Sequence, residues 1–590
     1  MNLTPQQKAA VLHAEHSLVV ACPGSGKTRA IIAKLLRCVE EVRDSARRIA
    51  CITFTNTAVY EIEDRLRSYG GVGDADYCEV STIHAFCLNN ILRHFYWRVP
   101  ELAKGFVVLP PDDERYIKLA SEVCARHGVK YQKDTFELIG RRPDGTAIVP
   151  AGSGLTEEIA VEFWGLLHAD GNVDFSNIVY YSYHILSEWK PAAQAVAARF
   201  AWVLVDEFQD TSALQVEILK LIADAGSTRF FLVGDPYQSI FGFAGAHPDG
   251  MWEFSLAIGA RDDFQLSSNF RSSSPIIEHA ERLWPREPPM DAAGEARHST
   301  LEPWHVHADS AFEAITGAFL PVLAKLKIPY GQAAILAPSW FKLIPLSRRL
   351  RAYGVPVLGP GARPYKRVHL FATLAEQICG YLMKPNPRQL ARIERELFFL
   401  VQECTGKSDF SIYSYSGRVV LFRLLRAGAL ARRQYEGAQE WLVAAAESIA
   451  AILSGAGWLT ETEAAMVVQS AHGMVADIAD HAERGLDVSR FSVADLGLFS
   501  DPDASLKLLS MHKAKGREFE AVALIGLHEG QLPHGQAKTA AQLDEAKRLF
   551  YVAVTRAKRV LLYVTDNKRR NAPVSRFLGP AGLDLFQSEE

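Results

Sequence analysis

The octet Ala21-Cys22-Pro23-Gly24-Ser25-Gly26-Lys27-Thr28 follows a short apolar run and leads into a helical pattern from Arg29. Glycines at this spacing let the backbone fold tightly, so that its N–H groups and the helix N-terminus face phosphate oxygens. Lys27 would then reach the β- and γ-phosphates of ATP, and Thr28 would bind Mg²⁺. Ala21 stands where the strict GxxxxGK[ST] pattern has glycine. Further along, Val203-Leu204-Val205-Asp206-Glu207 is an apolar run ending in two acids, with Gln209-Asp210 just beyond. Asp206 can hold the metal and Glu207 can orient and deprotonate a water, the division of labour that phosphoryl transfer to water requires. A third run ends in Gly234-Asp235-Pro236-Tyr237-Gln238-Ser239, where the Gln238 amide can sense a γ-phosphate without carrying charge.

These residues need strands to carry them. Short β-branched runs occur at Ser17 to Ala21, Arg48 to Phe54, Trp202 to Asp206, Arg229 to Gly234, Ala333 to Ala337, Leu506 to Ser510, Ala521 to Gly526 and Val560 to Thr565. Apolar segments of this length are expected to be buried parallel strands with functional residues just past their carboxyl ends. Between them, roughly from Phe95 to Leu186 and from Gly380 to Phe499, the pattern is helical. The order predicts two α/β domains, each interrupted by a mainly helical insertion. The segment Arg286 to Pro303, rich in Pro, Glu and Ala, is expected to be an exposed loop.

Bulk composition narrows the class. The 590 residues carry 64 Lys+Arg against 68 Asp+Glu, a formal net charge of −4, with 48% hydrophobic residues. This excludes a uniformly basic nucleic-acid coat and a disordered chain, and any nucleic-acid contact must come from local charge. One such place is 541–570, with eight Lys/Arg against three acids. The eight cysteines form neither a CxxC pair nor a cluster with His, so no metal centre or disulfide framework is expected. With no leader pattern or long apolar run, a cytoplasmic protein without membrane attachment is expected.

The ordered motifs resemble those of the UvrD/Rep (PcrA-like) superfamily 1 DNA helicases along nearly the whole chain. Leu3-Thr4-Pro5-Gln6-Gln7 is similar to the adenine-reading Q motif, Thr53-Phe54-Thr55-Asn56 to motif Ia, and Thr82-Ile83-His84-Ala85-Phe86 to motif Ib. Val205 to Thr211 resembles motif II and Gly234 to Phe243 motif III. Asn269-Phe270-Arg271-Ser272 resembles motif IV, Met511 to Phe519 motif V, and Tyr551-Val552-Ala553-Val554-Thr555-Arg556-Ala557 motif VI.

The resemblance implies two RecA-like P-loop NTPase domains. Domain 1A would comprise 1–95 plus 187–272, with helical insertion 1B at 96–186. Domain 2A would comprise 273–379 plus 500–590, with helical insertion 2B at 380–499. It implies catalytic roles for Lys27, Asp206, Glu207, Gln238, Arg271 and Arg556, the two arginines reaching the γ-phosphate across a cleft from Lys27. ATP would be held by Gln7, Pro23, Gly24, Ser25, Gly26, Lys27, Thr28, Arg29, Phe270 and Glu518, with Mg²⁺ on Thr28 and Asp206. Single-stranded DNA would run past Phe54, Thr55, Asn56, Thr82, His84, Phe241, Phe243 and His512, since aromatic faces stack on any base. Lys568 to Arg570 are a further candidate DNA contact.

The implied activity is ATP-driven 3′–5′ movement along single-stranded DNA and unwinding at single-strand/duplex junctions. Three positions depart from the family pattern: Thr57 and Ala244 replace basic residues, and Arg517 stands where Leu is common. No fused nuclease is expected after Arg556. A second reading stays open: a DNA-sensing regulatory ATPase that activates a separate nuclease subunit, as in OLD-nuclease-associated, Gabija-like anti-phage defence. Oligomeric state is not legible.

Overall fold

A computed structural model describes residues 1–590 except 72, 151, 243–244, 248, 407–410, 484–490, 568–572 and 582–590. Phe243, Ala244 and Lys568 to Arg570 therefore lie outside the described residues. The chain forms two compact units, one of Met1–Thr300 with Ala537–Thr555 and the other of Leu301–Gln536 with Arg556–Glu590.

The first unit is built on a six-stranded parallel sheet of β1 (Ser17–Ala21), β2 (Arg48–Thr53), β3 (Cys78–Thr82), β4 (Phe200–Val205), β5 (Arg229–Gly234) and β6 (Arg261–Leu266), in the order β6-β1-β5-β4-β2-β3. Every residue of β1 and of β4 is buried, as their unbroken apolar runs require. Because all strands run the same way, the segments leaving them gather along one edge, where open α/β sheets bind ligands. Helix α1 (Pro5–Leu12) starts where Thr4 and Gln7 form a reciprocal cap, with Pro5 in the first turn. Helix α2 (Lys27–Val42) leaves the phosphate loop and buries Ile31, Ile32, Leu35, Cys38, Val39 and Val42 against the sheet. The first insertion contains helices Glu114–Arg126, Glu157–Ala169 and Phe175–Glu188, with its own core of Tyr116, Phe136, Phe163 and Trp164. Near the end of the chain, helix α3 (Ala540–Val554), capped by Thr539 and Gln542, belongs to this unit.

The second unit has its own parallel sheet: β7 (Trp304–Ala308), β8 (Ala333–Ala337), β9 (Val357–Leu358), β10 (Leu506–Ser510), β11 (Phe519–Leu524) and β12 (Ala557–Asp566), ordered β7-β12-β11-β8-β10-β9. Its insertion is helical, with Ala372–Met383, Pro387–Thr405, Tyr415–Gln434, Ala438–Gly455 and Glu461–Glu483 as the long elements. Buried Trp441 fastens two of them by donating from Nε1 to the Gly428 carbonyl at 3.0 Å. The fold is thus α/β with two RecA-like sheets flanked by helices. Among the described residues no helix is long and apolar enough to cross a membrane, and no group of three metal-ligating side chains occurs.

All eight expected strands are present, within a few residues of their expected ends. The segment Arg286 to Pro303 is largely exposed, as expected, but it is anchored at its start. It carries strand Asp291–Ala292 and turn Glu295–His298, and the Arg286 side chain is only 6% exposed because it neutralises a fully buried carboxylate, Asp235.

Candidate active site

The first unit brings its chemistry-bearing residues to the carboxyl edge of its sheet. Leaving β1, Gly24 and Gly26 take left-handed φ values of 69° and 77°, which frees the loop to curl into the start of α2. A Cβ on Gly24 would lie 2.6 Å from Arg271 Cβ, and one on Gly26 would lie 2.8 Å from Gln7 Nε2, so the loop is a cradle that side chains would fill. Gln7 donates from Nε2 to the Ser25 carbonyl at 2.8 Å and so fixes the crest of the loop. Pro23 and Ser25 are buried, and the Ser25 hydroxyl has no hydrogen-bond partner. A buried, unsatisfied donor within a glycine cradle fits a phosphate oxygen. Thr28 is half-buried in the first turn of α2, and exposed Arg29 donates to the Asn2 carbonyl.

The end of β4 supplies the acids. Lys27 Nζ sits 3.2 Å from a Glu207 carboxylate oxygen. Burial alone would lower the Lys27 pKa, but Glu207, Asp235 and Asp206 together raise it, so the ammonium is firmly charged. Burial, then repulsion from Glu207, pushes Asp206 up to about 7. A desolvated carboxylate beside a second one suits a divalent cation, which would relieve both effects. Glu207 occupies left-handed space at φ 51°, an uncommon conformation for a residue with a side chain, and its N–H donates to Asp206 Oδ1 at 2.9 Å. Gln209 donates to Glu207 and accepts from the Asp235 N–H at 2.9 Å, linking the ends of β4 and β5. Gln238, buried in the turn after β5, donates to Asp235 Oδ2 at 2.6 Å.

Beyond β6, Asn269 Oδ1 accepts from the N–H groups of Arg271 and Ser272, and Phe270 N–H donates to the Gly24 carbonyl at 2.9 Å. Phe270 is exposed. Arg271 belongs to the same unit as Lys27, and its guanidinium donates to the Thr555 carbonyl at 3.0 Å. The expectation that it faces Lys27 across a cleft is corrected: the strand end that carries it lies against the phosphate loop. Arg556 alone of the two arginines falls in the other unit. There it is buried, donates to the Arg517 carbonyl at 3.3 Å, and lies at the amino-terminal end of β12. Glu518 sits at the same edge, just before β11, paired with Lys558 at 2.9 Å. His512 leaves the opposite, carboxyl end of β10, where burial and then Lys515 lower its pKa to about 4.

The residues expected along a DNA strand divide similarly. Phe54, 42% exposed just past β2, stacks on Phe241 with ring centroids 4.9 Å apart and planes 22° from parallel. Thr55 and Thr82 cap the helices that follow β2 and β3, and Asn56 and Thr57 are exposed in the first turn after Thr55. Half-buried His84 has its pKa lowered to about 4 by burial, so it is a neutral contact at physiological pH. Sequence reading missed Arg286, one of two arginines in a Pro-rich stretch without a motif.

Comparison with known proteins identifies the family. The UvrD/REP helicase N-terminal domain model matches residues 3–144 and 150–257, and the UvrD-like helicase C-terminal domain model matches 493–568. The chain is 26% identical to the ATP-dependent DNA helicase Rep of Escherichia coli (strain K12), over 97% of this chain and 92% of the relative. It is 27% identical to the ATP-dependent DNA helicase UvrD1 of Mycobacterium tuberculosis (strain ATCC 25618 / H37Rv), over 99% of this chain and 86% of the relative. With both ends of the chain matched and relatives aligned along nearly its whole length, the chain belongs to the UvrD/Rep family of superfamily 1 DNA helicases.

Proposed function

We propose that the protein hydrolyses ATP in response to single-stranded DNA, moves 3′ to 5′ along it and separates duplex at junctions. The observation that carries this reading is the gathering of Lys27, Asp206, Glu207, Gln238 and Arg271 along one sheet edge, with the Phe54–Phe241 stack on the same edge. Gln7, Pro23 to Thr28, Arg29 and Phe270 bind the nucleotide, and Glu518 accepts from its ribose. Thr28 and Asp206 would hold Mg²⁺, which neutralises charge on the phosphates. Glu207 orients and deprotonates the attacking water, and Lys27, Arg271 and Arg556 stabilise charge on the transferring phosphoryl group. Because Arg556 belongs to a different unit from Lys27, its participation makes hydrolysis depend on domain closure, and closure and reopening supply the stroke. The motor domains would be 1–95/187–272 and 273–379/500–590 with helical insertions 96–186 and 380–499, although 273–300 and 537–555 cluster with the first unit. Bases stack on Phe54, Phe241 and Phe243, with Thr55, Asn56, Thr82, His84 and His512 as polar contacts.

Purified protein should hydrolyse ATP at least about tenfold faster with saturating oligo(dT), as expected when DNA favours the closed state. An unchanged rate would refute the proposal. Exposed Thr57, in place of a family cation, favours one second reading, a DNA-sensing ATPase that activates a separate nuclease. That reading expects stimulated hydrolysis with negligible strand displacement.

A further inference from the structure

Arg286 lies outside every motif, yet its side chain is only 6% exposed within the first unit. Nη1 donates to Asp235 Oδ1 at 2.9 Å and to the Tyr551 hydroxyl at 3.2 Å. Nη2 donates to the carbonyl of Ala21, the last residue of β1 before the phosphate loop, at 3.3 Å. The guanidinium also lies over the Tyr237 ring, 4.8 Å from its centroid. Glu281 shapes the supporting turn by accepting from the N–H groups of Arg286 and Met290.

Asp235 is fully buried, so its charge must be compensated. Its other oxygen holds the Gln238 amide. An ionised carboxylate only accepts hydrogen bonds, so Asp235 takes the NH₂ end of that amide and fixes which way Gln238 faces. Without the Arg286 guanidinium the buried carboxylate would be left uncompensated and would turn toward other donors, loosening its hold on the Gln238 amide. The cation therefore governs the orientation of Gln238.

We propose that Arg286 is a positioning residue for nucleotide sensing. It braces the Asp235 carboxylate, thereby sets the Gln238 amide toward the γ-phosphate, and ties that setting to the phosphate loop through Ala21 and to helix α3 through Tyr551. This rests on the ATPase reading above and names the residue that makes its sensor discriminate.

The test is the ratio of affinities for ATPγS and ADP, titrated with Mg²⁺ and without DNA. In Arg286→Met the preference for ATPγS over ADP should fall about tenfold, the scale of one hydrogen bond to a charged group, while ADP affinity changes by less than about threefold. Arg286→Lys keeps the charge without the fork and should fall between. The double variant Arg286→Met/Asp235→Asn removes the buried unpaired charge, so it should regain thermal stability but not the preference, because an Asn amide can pair with either end of Gln238. An unchanged ratio in Arg286→Met overturns the inference. So does a double variant with the wild-type ratio, since Arg286 would then be only a counter-ion. Hydrolysis that ignores DNA would refute the helicase reading while this ratio still judged Arg286.

Discussion

Replacing Gly24 by alanine tests the geometry of the phosphate loop at the position where it has least room. The residue sits at φ 69°, where an alanine is strained by roughly 1–2 kcal/mol. Its Cβ would meet Arg271 Cβ at 2.6 Å, Asn269 Oδ1 at 2.8 Å and the Arg271 backbone nitrogen at 3.1 Å. None of these is the far end of a flexible chain: Asn269 is held by two N–H groups, and the segment beyond β6 is tied to the loop by the Phe270–Gly24 hydrogen bond. Overpacking of this kind adds about 1–3 kcal/mol. Strain and overpacking together cost about 2–5 kcal/mol, which appears as lost stability if the loop keeps its shape or as lost affinity if it moves. At Gly26 the approaching atom is the mobile end of Gln7, so Gly26→Ala should cost only the φ strain and part of the Gln7–Ser25 bond. Titration with a fluorescent ADP analogue, beside thermal unfolding, should show Gly24→Ala weaker by at least about thirtyfold in affinity or clearly less stable, and Gly26→Ala milder in both, given those costs. Equal behaviour of the two variants, or wild-type behaviour of Gly24→Ala, would refute the reasoning.

Other outcomes follow from the same structure. Phe54→Ala removes one face of the stack with Phe241 and should weaken single-stranded DNA binding by about 1–3 kcal/mol in fluorescence anisotropy, with the KM for ATP unchanged. Arg556→Ala should lower kcat by about 10³-fold or more in steady-state hydrolysis while leaving nucleotide binding largely intact. Gly380→Ala would drive a methyl into Ser500 Oγ and Gln389 Nε2 between packed helices of the second unit, and should lower the thermal transition, at a cost of about 1–3 kcal/mol. His279 is buried in the native state, where burial and then Arg282 lower its pKa from 6.5 to about 4. The unfolded chain therefore binds the extra proton, so this stability contribution is complete above pH 6.5 and is lost as pH falls toward 4. His279→Leu should flatten the decline by up to about one proton in denaturant titrations across that range.

What the sequence disclosed follows burial. All of the eight strands read from it except β10 carry at least four consecutive buried residues, and such strands announce themselves as apolar runs. Of the twelve strands in the two large sheets, the four that went unread, β3, β6, β7 and β9, are the edges. Edge strands are paired on one side only and tolerate polar residues, as the exposed Arg-Asp-Asp opening of β6 and the exposed His307 of β7 show. Local spacing disclosed the phosphate loop and the Asp206–Glu207 pair because each is a contiguous device. The burial of Arg286 depends on Asp235, 51 positions away, and on Tyr551, 265 positions away, so no local pattern could announce it. The same limit explains Arg271: only the sheet order shows that β6 lies beside β1 and brings motif IV onto the loop.

Hydrolysis at this site is proposed to drive directional strand separation. Its most direct test is displacement of a labelled strand from duplexes carrying either a 3′ or a 5′ single-stranded tail, with wild-type protein and Glu207→Gln. ATP-dependent displacement is expected from the 3′-tailed duplex, little from the 5′-tailed one, and none by Glu207→Gln on either. Preference for the 5′ tail, or undiminished displacement by Glu207→Gln, would contradict it.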